Sequence, residues 1–307
     1  MNQSILLIDG LAVAYRAFYA VKGLATPDGR PTNALFGFIR MLRQLEAQWK
    51  PDRIVVAFDG GTPPHRLEKC PAYKAQRPPM PDELRSQLPL INEFLEAAGI
   101  PAVRLNQQEA DDVLATLADR AARNGNVVRI ATGDKDLMQL VDEYIRMVPP
   151  TKAEEELDAT AVLLKTGVAP AQIVDWLALI GDVADNIPGI SGVGPKTAAK
   201  LLNQFGTLEN CLARTDEIGS GTLREKMRAG AETARVNVEL MELDRNVPGV
   251  PSWEEIPAPL PSLGQLKAFF EKYALRQFSA DVPPGVRNSS PLKPVKKSTE
   301  EEQLSLF

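Results

Sequence analysis

Residues 107–118 read QQEADDVLATLA. Glu109, Asp111 and Asp112 crowd together just ahead of an apolar helical face, Val113, Leu114, Leu117 and Ala118. A helix N-terminus favours one or two acids without any function attached, but three repel one another unless positive charge sits among them. Further acids recur at comparable places. Asp9 ends the apolar run SILLID, Asp59 ends RIVVAFD, and Asp134 and Asp136 lie in GDKD just after VVRIAT. GDVADNIPG adds Asp182 and Asp185, whose i, i+3 spacing predicts both on one helical face. Each acid alone reads as a cap or turn residue; the set reads as a metal centre. His65 is the single histidine, and Cys70 and Cys211 stand in no CxxC. A donor set of carboxylates without His or Cys fits a hard cation, Mg²⁺ or Mn²⁺, rather than zinc. Two such ions about 4 Å apart suit phosphodiester hydrolysis.

The elements that must position these acids follow from hydropathy. Residues 4–9, 53–59 and 127–132 are short apolar runs, each followed by or ending in an acid, and predict buried strands. Ala34 to Trp49 predicts a helix with Leu35, Phe38, Ile39, Leu42 and Leu45 on one face; further helices are expected from about Asp82 to Ala98 and from Glu109 to about Asn124. The alternation predicts an α/β fold with a mostly parallel central sheet flanked by helices. In such sheets ligands collect at the carboxyl ends of the strands, where the acids lie. Residues 60–81, rich in Pro, Gly and basic groups, read as a long irregular segment. Beyond about Thr151 the chain reads as mainly helical to about Ala280, and from Asp281 as a Pro- and charge-rich linker. The expected division is 1–175 for the α/β core, 176–280 for a helical region and 281–307 for the linker and tail.

The net charge of −5 argues against nucleic acid if taken alone. Nine of the 40 Asp and Glu, however, belong to the proposed centre, where divalent ions would partly offset them. Basic residues gather elsewhere. HRLEKCPAYKAQRPP (65–79) carries Arg66, Lys69, Lys74 and Arg77 around Tyr73, and AYRAFYA (14–20) places Tyr15, Arg16 and Phe18 near Asp9. Both also read as a solvated basic loop and ordinary packing. In GISGVGPKTAAKLLNQFG (189–206), Gly192 and Gly194 flank a tight turn, Pro195 suits a first helical position, and Leu201, Leu202 and Phe205 pack the helix that follows. The free N–H groups of such a turn bind phosphate without reading sequence, with Lys196 and Lys200 beside them. A P-loop is the rival reading, but Pro195 displaces Lys196 by one position and no buried strand precedes the turn. No apolar run reaches the roughly 18 residues of a membrane span, and MNQSILLIDG carries no signal peptide, so the cytoplasm is expected.

LLIDG, VVAFDG, YKAQRPPMP, EADDVLATLA, TGDKDLMQLV and GDVADNIPGISGVGPKTAAKLL together resemble the 5′-nuclease family, which includes the 5′→3′ exonuclease domain of bacterial DNA polymerase I and the flap endonucleases. The similarity runs in order over about residues 4–280. It implies a Mg²⁺-dependent nuclease, with Mn²⁺ as a substitute, that cuts 5′ flaps and trims 5′ ends of duplex DNA in replication and repair. It assigns Asp59, Glu109, Asp111 and Asp134 to one metal, with Asp9 nearby, and Asp136, Asp182 and Asp185 to the second, with Asp112 close to both. It further implies that residues 60–85 arch over the site, with Lys74 and Arg77 on the scissile phosphate, Tyr73 stacking on a base, and Arg66, Tyr15 and Arg16 among the DNA contacts. The glycine turn becomes a helix–hairpin–helix with a bound K⁺. Two rivals remain: a DNA-binding relative with little catalysis, and a nuclease directed at RNA primers.

The sequence closes on EEEQLSLF. Gln303, Leu304, Leu306 and Phe307 are apolar or amphipathic residues beyond a solvated linker, and read as a frayed end or a docking motif. They resemble the QLSLF-type peptide by which bacterial replication and repair enzymes bind the sliding clamp β subunit. The expectation is therefore a monomeric, stand-alone bacterial enzyme, associated with the nucleoid and able to bind the clamp.

Overall fold

A computed structural model describes residues 2–253 and 255–281. Five strands, β1 (Ser4–Asp9), β2 (Arg53–Phe58), β3 (Ala102–Arg104), β4 (Val127–Ala131) and β5 (Ile145–Val148), form one sheet in the order β3-β2-β1-β4-β5, and every pairing is parallel. The expected strands are β1, β2 and β4. β3 and β5 were not expected: β3 is three residues long with two of them exposed, and β5 is broken by Arg146, so neither carries a readable apolar run.

Parallel strands need crossovers, and right-handed crossovers run in both directions from β1 place helices on both faces of the sheet. The side-chain alternation of β1 shows this directly. Leu6 and Ile8 pack with one core, which includes Leu35, Phe38, Ile39, Leu42 and Leu45 of the expected helical face; Ile5 and Leu7 pack with the other, which includes Val113, Leu114 and Leu117. On the first face lie α1 (Gly10–Ala20) and α2 (Asn33–Trp49). The segment 60–85 is more regular than expected: it holds α3 (Pro64–Lys69) and α4 (Asp82–Arg85), and the helix expected over 82–98 is split, continuing as α5 (Leu88–Ala98) with Pro89 in its first turn. α6 (Ala110–Arg123) covers the second face.

The helical region holds α7 (Ala159–Thr166), α8 (Ile173–Ile180), a two-residue hairpin of β6 (Gly181–Asp182) and β7 (Ile187–Pro188), then α9 (Pro195–Phe205), α10 (Leu208–Ala213), α11 (Gly221–Ala229) and α12 (Ala231–Met241). α13 (Leu263–Lys272) departs from the expected division, because it returns to the α/β core, where Phe269 packs on Phe94 of α5 with ring centroids 5.9 Å apart. Among the described residues no single helix is long and apolar enough to cross a membrane.

Strand order reverses beside β1, so the crevice at the carboxyl ends of β1 and β4 is the topological switch point of the sheet. Asp9 ends β1, Asp59 follows β2, and Asp134 and Asp136 follow β4.

Candidate functional site

The acids at the sheet edge are held by local hydrogen bonds. Asp9 caps α1 by accepting from the Ala12 N–H at 2.9 Å, and its other oxygen accepts from Thr132 Oγ1 at 3.1 Å. Asp59 accepts from the N–H of Ala110 at 3.1 Å, which sets the start of α6. Asp134 accepts from the Asp136 N–H at 2.9 Å. These bonds fix the carboxylates without neutralising them, and the consequence is seen in their acidity. Burial pushes Asp9 up to about 6, and Asp59 and Asp134 add to the rise. Burial raises Asp111 well above the usual carboxylate range, and Asp134, Asp9 and Asp59 raise it further. Burial also pushes Asp136 up to about 7, with Asp134, Asp182 and Asp185 contributing. Asp134 therefore acts on acids of both groups.

The second group closes on geometry. Asp136, Asp182 and Asp185 each offer a carboxylate oxygen within 4.8 Å of the others. Asp182 ends β6 and Asp185 lies in the hairpin turn that follows, not on the helical face expected from their spacing, since an i, i+3 pair also converges across a tight turn. Asp182 takes the N–H of Ala184 at 2.8 Å. The hairpin depends on glycine at two crossing points: a Cβ on Gly181, at φ +76°, would lie 2.3 Å from the Gly189 nitrogen. Lys135, a residue passed over in the sequence, bridges the group, with Nζ 2.5 Å from Asp182 and 3.4 Å from Asp136. Its pKa is raised, because Asp136 and Asp182 outweigh burial, and Asp182 is lowered against the effect of burial by the same lysine. The signal was its place between two acids in GDKD.

The structure corrects the expected roles of Arg66, Asp112 and Tyr73. Arg66 is 2% exposed and so does not meet DNA. Its Nη1 lies 2.7 Å from Glu109 and 2.6 Å from Asp112, and its Nη2 lies 2.8 Å from the other Asp112 oxygen. Asp112, 1% exposed, also accepts from the N–H of Asp244 at 2.9 Å, so both of its oxygens are used and it is withdrawn from the metal ligands. Tyr73 is 6% exposed, with its hydroxyl 3.1 Å from Glu109 and 3.2 Å from Asp185, and its ring is unavailable to a base. Burial, then the charges of Glu109 and Asp185, raise its pKa. Glu109 keeps one oxygen apart: Oε1 is buried without an aligned hydrogen bond, in ion-pair contact with Lys74 at 2.8 Å.

Residues 70–77 lie against this centre. Lys74, at φ +57°, donates its N–H to the Asp185 carbonyl at 3.0 Å, and Asn186 donates to the Ala72 carbonyl at 2.8 Å. Arg77 is half exposed and pairs with Asp185. Tyr15 is half-buried, Phe18 packs against the core and Arg16 is exposed.

At the glycine turn, Gly192 has φ +78°, Gly194 precedes α9, and Pro195 takes its first position with no side chain capping the helix. Leu201, Leu202 and Phe205 are buried, and Lys196 and Lys200 are exposed one turn apart. Lys226 of α11, unremarked in the sequence, reaches this turn: a Cβ on Gly192 would lie 2.5 Å from its Nζ.

An oxygen-only donor set, a buried Glu109 oxygen without an aligned donor and carboxyls held above their ordinary range together fit divalent cations. Residues 4–167 match the family of the 5′-3′ exonuclease N-terminal, resolvase-like domain, and residues 168–262 match that of its C-terminal SAM fold. The chain belongs to the 5′-3′ exonuclease family. A family relative, the 5′-3′ exonuclease of Aquifex aeolicus, is 38% identical over 288 residues, covering 94% of this chain and 98% of the relative. The DNA polymerase I of Bacillus caldotenax is 40% identical over 281 residues, but the chain spans only 32% of its length. Zinc-bound T5 5′-exonuclease shares the fold at TM-score 0.65 and 20% identity, covering 91% of this chain and 98% of that one. The catalytic core of Rad2 in complex with DNA substrate shares it at TM-score 0.61 and 20% identity, covering 94% and 93%.

Proposed function

We propose that this family member is a structure-specific nuclease that hydrolyses DNA phosphodiesters at 5′ flaps and 5′ ends, with Mg²⁺ as cofactor and Mn²⁺ as a substitute. The observation that carries the reading is the convergence of two groups of carboxylates at one sheet edge, with Asp134 raising Asp111 of one group and Asp136 of the other. Membership of the 5′-3′ exonuclease family supports it, as does the fold shared with a T5 D15 flap endonuclease complex with DNA and metal ions.

Asp9, Asp59, Asp111, Asp134 and Oε1 of Glu109 would hold one ion, and Asp136, Asp182 and Asp185 the other. When bound, a pair of divalent ions activates the attacking water and stabilises the leaving oxygen. Lys74 and Arg77 sit at the edge of the acids and bind the non-bridging oxygens of the scissile phosphate. Tyr15 and Arg16 line the approach. Lys196, Lys200 and Lys226, with the uncapped start of α9, would hold the duplex backbone through phosphates alone, and the carbonyls of the turn at Gly192 would hold a K⁺.

Cleavage of a 5′-labelled flap with and without Mg²⁺ tests the reading, with an RNA-primer substrate as the competing arm. Asp134→Asn should remove most cleavage while flap binding persists in Ca²⁺. Near-normal Mg²⁺-dependent turnover by that variant would reject the assignment, and binding by the native protein without any cleavage would favour the DNA-binding rival.

The tail residues Gln303, Leu304, Leu306 and Phe307 lie outside the described residues. Their pattern supports docking to the sliding clamp of a bacterial cytoplasm, with the nuclease acting as a monomer near the nucleoid. Burial of a large apolar side chain yields roughly 1.5–3 kcal/mol, less the cost of ordering the peptide, so micromolar-class binding is expected. Deleting 303–307 should abolish co-migration with purified clamp and leave isolated flap cleavage unchanged. Equal clamp binding by the truncated protein would remove this role.

A further inference from the structure

The crowding of Glu109, Asp111 and Asp112 called for positive charge among them, and part of that charge is internal. Arg66 lies in the core, and its donors are turned inward to two other parts of the chain. It holds Glu109 and Asp112 at the start of α6, and its Nε donates to the Leu240 carbonyl at 3.2 Å, beside the end of α12. Arg66 itself belongs to α3, at the base of the segment that carries Tyr73, Lys74 and Arg77. Burial disfavours its charge, yet the hydrogen bonds and charge of Asp112, with Glu109 beside it, raise its pKa, so it stays a cation at any working pH.

The division of the acids follows from this placement. Asp112 is consumed by the guanidinium. Glu109 has Oε2 taken by Arg66 and Tyr73, while Oε1 lacks an aligned hydrogen bond and faces only the end of Lys74, with Nζ at 2.8 Å. Asp111 has no guanidinium partner and belongs to the group of Asp9, Asp59 and Asp134.

We propose that Arg66 is a positioning residue: it clamps Oε2 of Glu109 so that Oε1 is presented to a divalent ion, and it ties that carboxylate to the base of the basic segment. The proposal rests on the divalent-ion reading above. A fixed cation beside a ligand carboxylate holds one rotamer, and loss of such a partner typically weakens metal binding about 10- to 100-fold.

The test measures Mn²⁺ binding to the full chain by calorimetry, together with kcat and KM on a flap substrate and the melting temperature. Arg66→Met with Asp112→Asn removes both buried charges and keeps an acceptor for the Asp244 N–H, which preserves folding better than a single charge removal. This pair should melt near the native protein but bind Mn²⁺ at least about tenfold more weakly, with kcat lowered more than KM is raised. Arg66→Lys keeps the charge but cannot reproduce the fork, and should give a smaller loss of Mn²⁺ affinity. Thr116→Val is the control. Thr116 ties α6 to the Asp244–Val247 segment through two other buried bonds, so its loss loosens α6 without touching Glu109. It should lower the melting temperature and leave Mn²⁺ affinity native.

Native Mn²⁺ affinity in the double variant overturns the proposal; if that variant does not fold, native affinity in Arg66→Lys does so. Equal weakening by Thr116→Val also overturns it, by showing general loosening. Absence of Mn²⁺ binding by the native protein instead rejects the metal reading itself.

Discussion

The backbone N–H of Lys74 donates to the carbonyl of Asp185 at 3.0 Å, so the segment that carries the basic side chains is clasped to the turn that carries the acids. The bond joins residues far apart in sequence and needs the left-handed backbone of Lys74, at φ +57°. The same residue places Nζ 2.8 Å from Glu109 and 3.8 Å from Asp185. A lysine held there spans both groups of acids.

Lys74→Ala should therefore act on the chemical step. The single-turnover rate at saturating enzyme should fall by a factor on the order of 10²–10³, as for loss of one donor to a developing anion, while flap affinity changes several-fold at most. Stopped-flow cleavage and fluorescence anisotropy separate the two. A loss confined to affinity would place Lys74 outside the chemistry.

Lys196 and Lys200 should behave in the opposite way. They are exposed on one face of α9, beside a turn that Lys226 also reaches, and no ion pair joins them to the acids among the described residues. Lys196→Ala should weaken duplex binding and lower its salt dependence by about one unit of slope, because one phosphate fewer is neutralised. The single-turnover rate at saturation should stay native. Binding measured from low to moderate salt checks this, and an unchanged slope would remove Lys196 from the interface.

The sequence made the sheet legible where strands were apolar and long enough, as in β1, β2 and β4, because burial on both faces leaves a continuous hydrophobic run. β3 and β5 were not legible, because their place is set by backbone pairing to neighbours. The acids were legible as a set, since each stands at a strand end, helix start or turn. What local reading missed was which cation each acid keeps. Arg66 lies in a Pro-rich basic stretch and looks solvent-facing, yet Glu109 and Asp112, the acids that bury it, stand 43 and 46 residues away. Tyr73 was misread for the same reason. Asp182 and Asp185 were brought together correctly by spacing but on the wrong backbone, although Gly181 and Gly189 flanking them signalled a close crossing rather than a helix.

Protons and metal should compete for the acids. Asp9 is pushed up to about 6 and Asp136 up to about 7, against 3.8 when free. The folded, metal-free protein thus holds these protons more tightly than the unfolded chain does. The stabilisation they lend is complete below the unfolded value and is lost as pH rises through the folded ones, so the window runs from about 4 to about 7. Above it the fold carries crowded, ionised carboxylates. A divalent cation that binds only the folded form restores stability there, and does so poorly in acid, where protons occupy the same oxygens. In EDTA the melting temperature of the native protein should therefore fall, relative to Asp136→Asn, between about pH 4 and about pH 7. Mg²⁺ should raise the native melting temperature more at the upper end of that range than at the lower, and should raise that of Asp136→Asn less. Differential scanning fluorimetry across the range measures both effects. A Mg²⁺ shift of equal size at both ends, or EDTA curves that run parallel for the two proteins, would mean that Asp136 does not hold its proton at the expense of the metal.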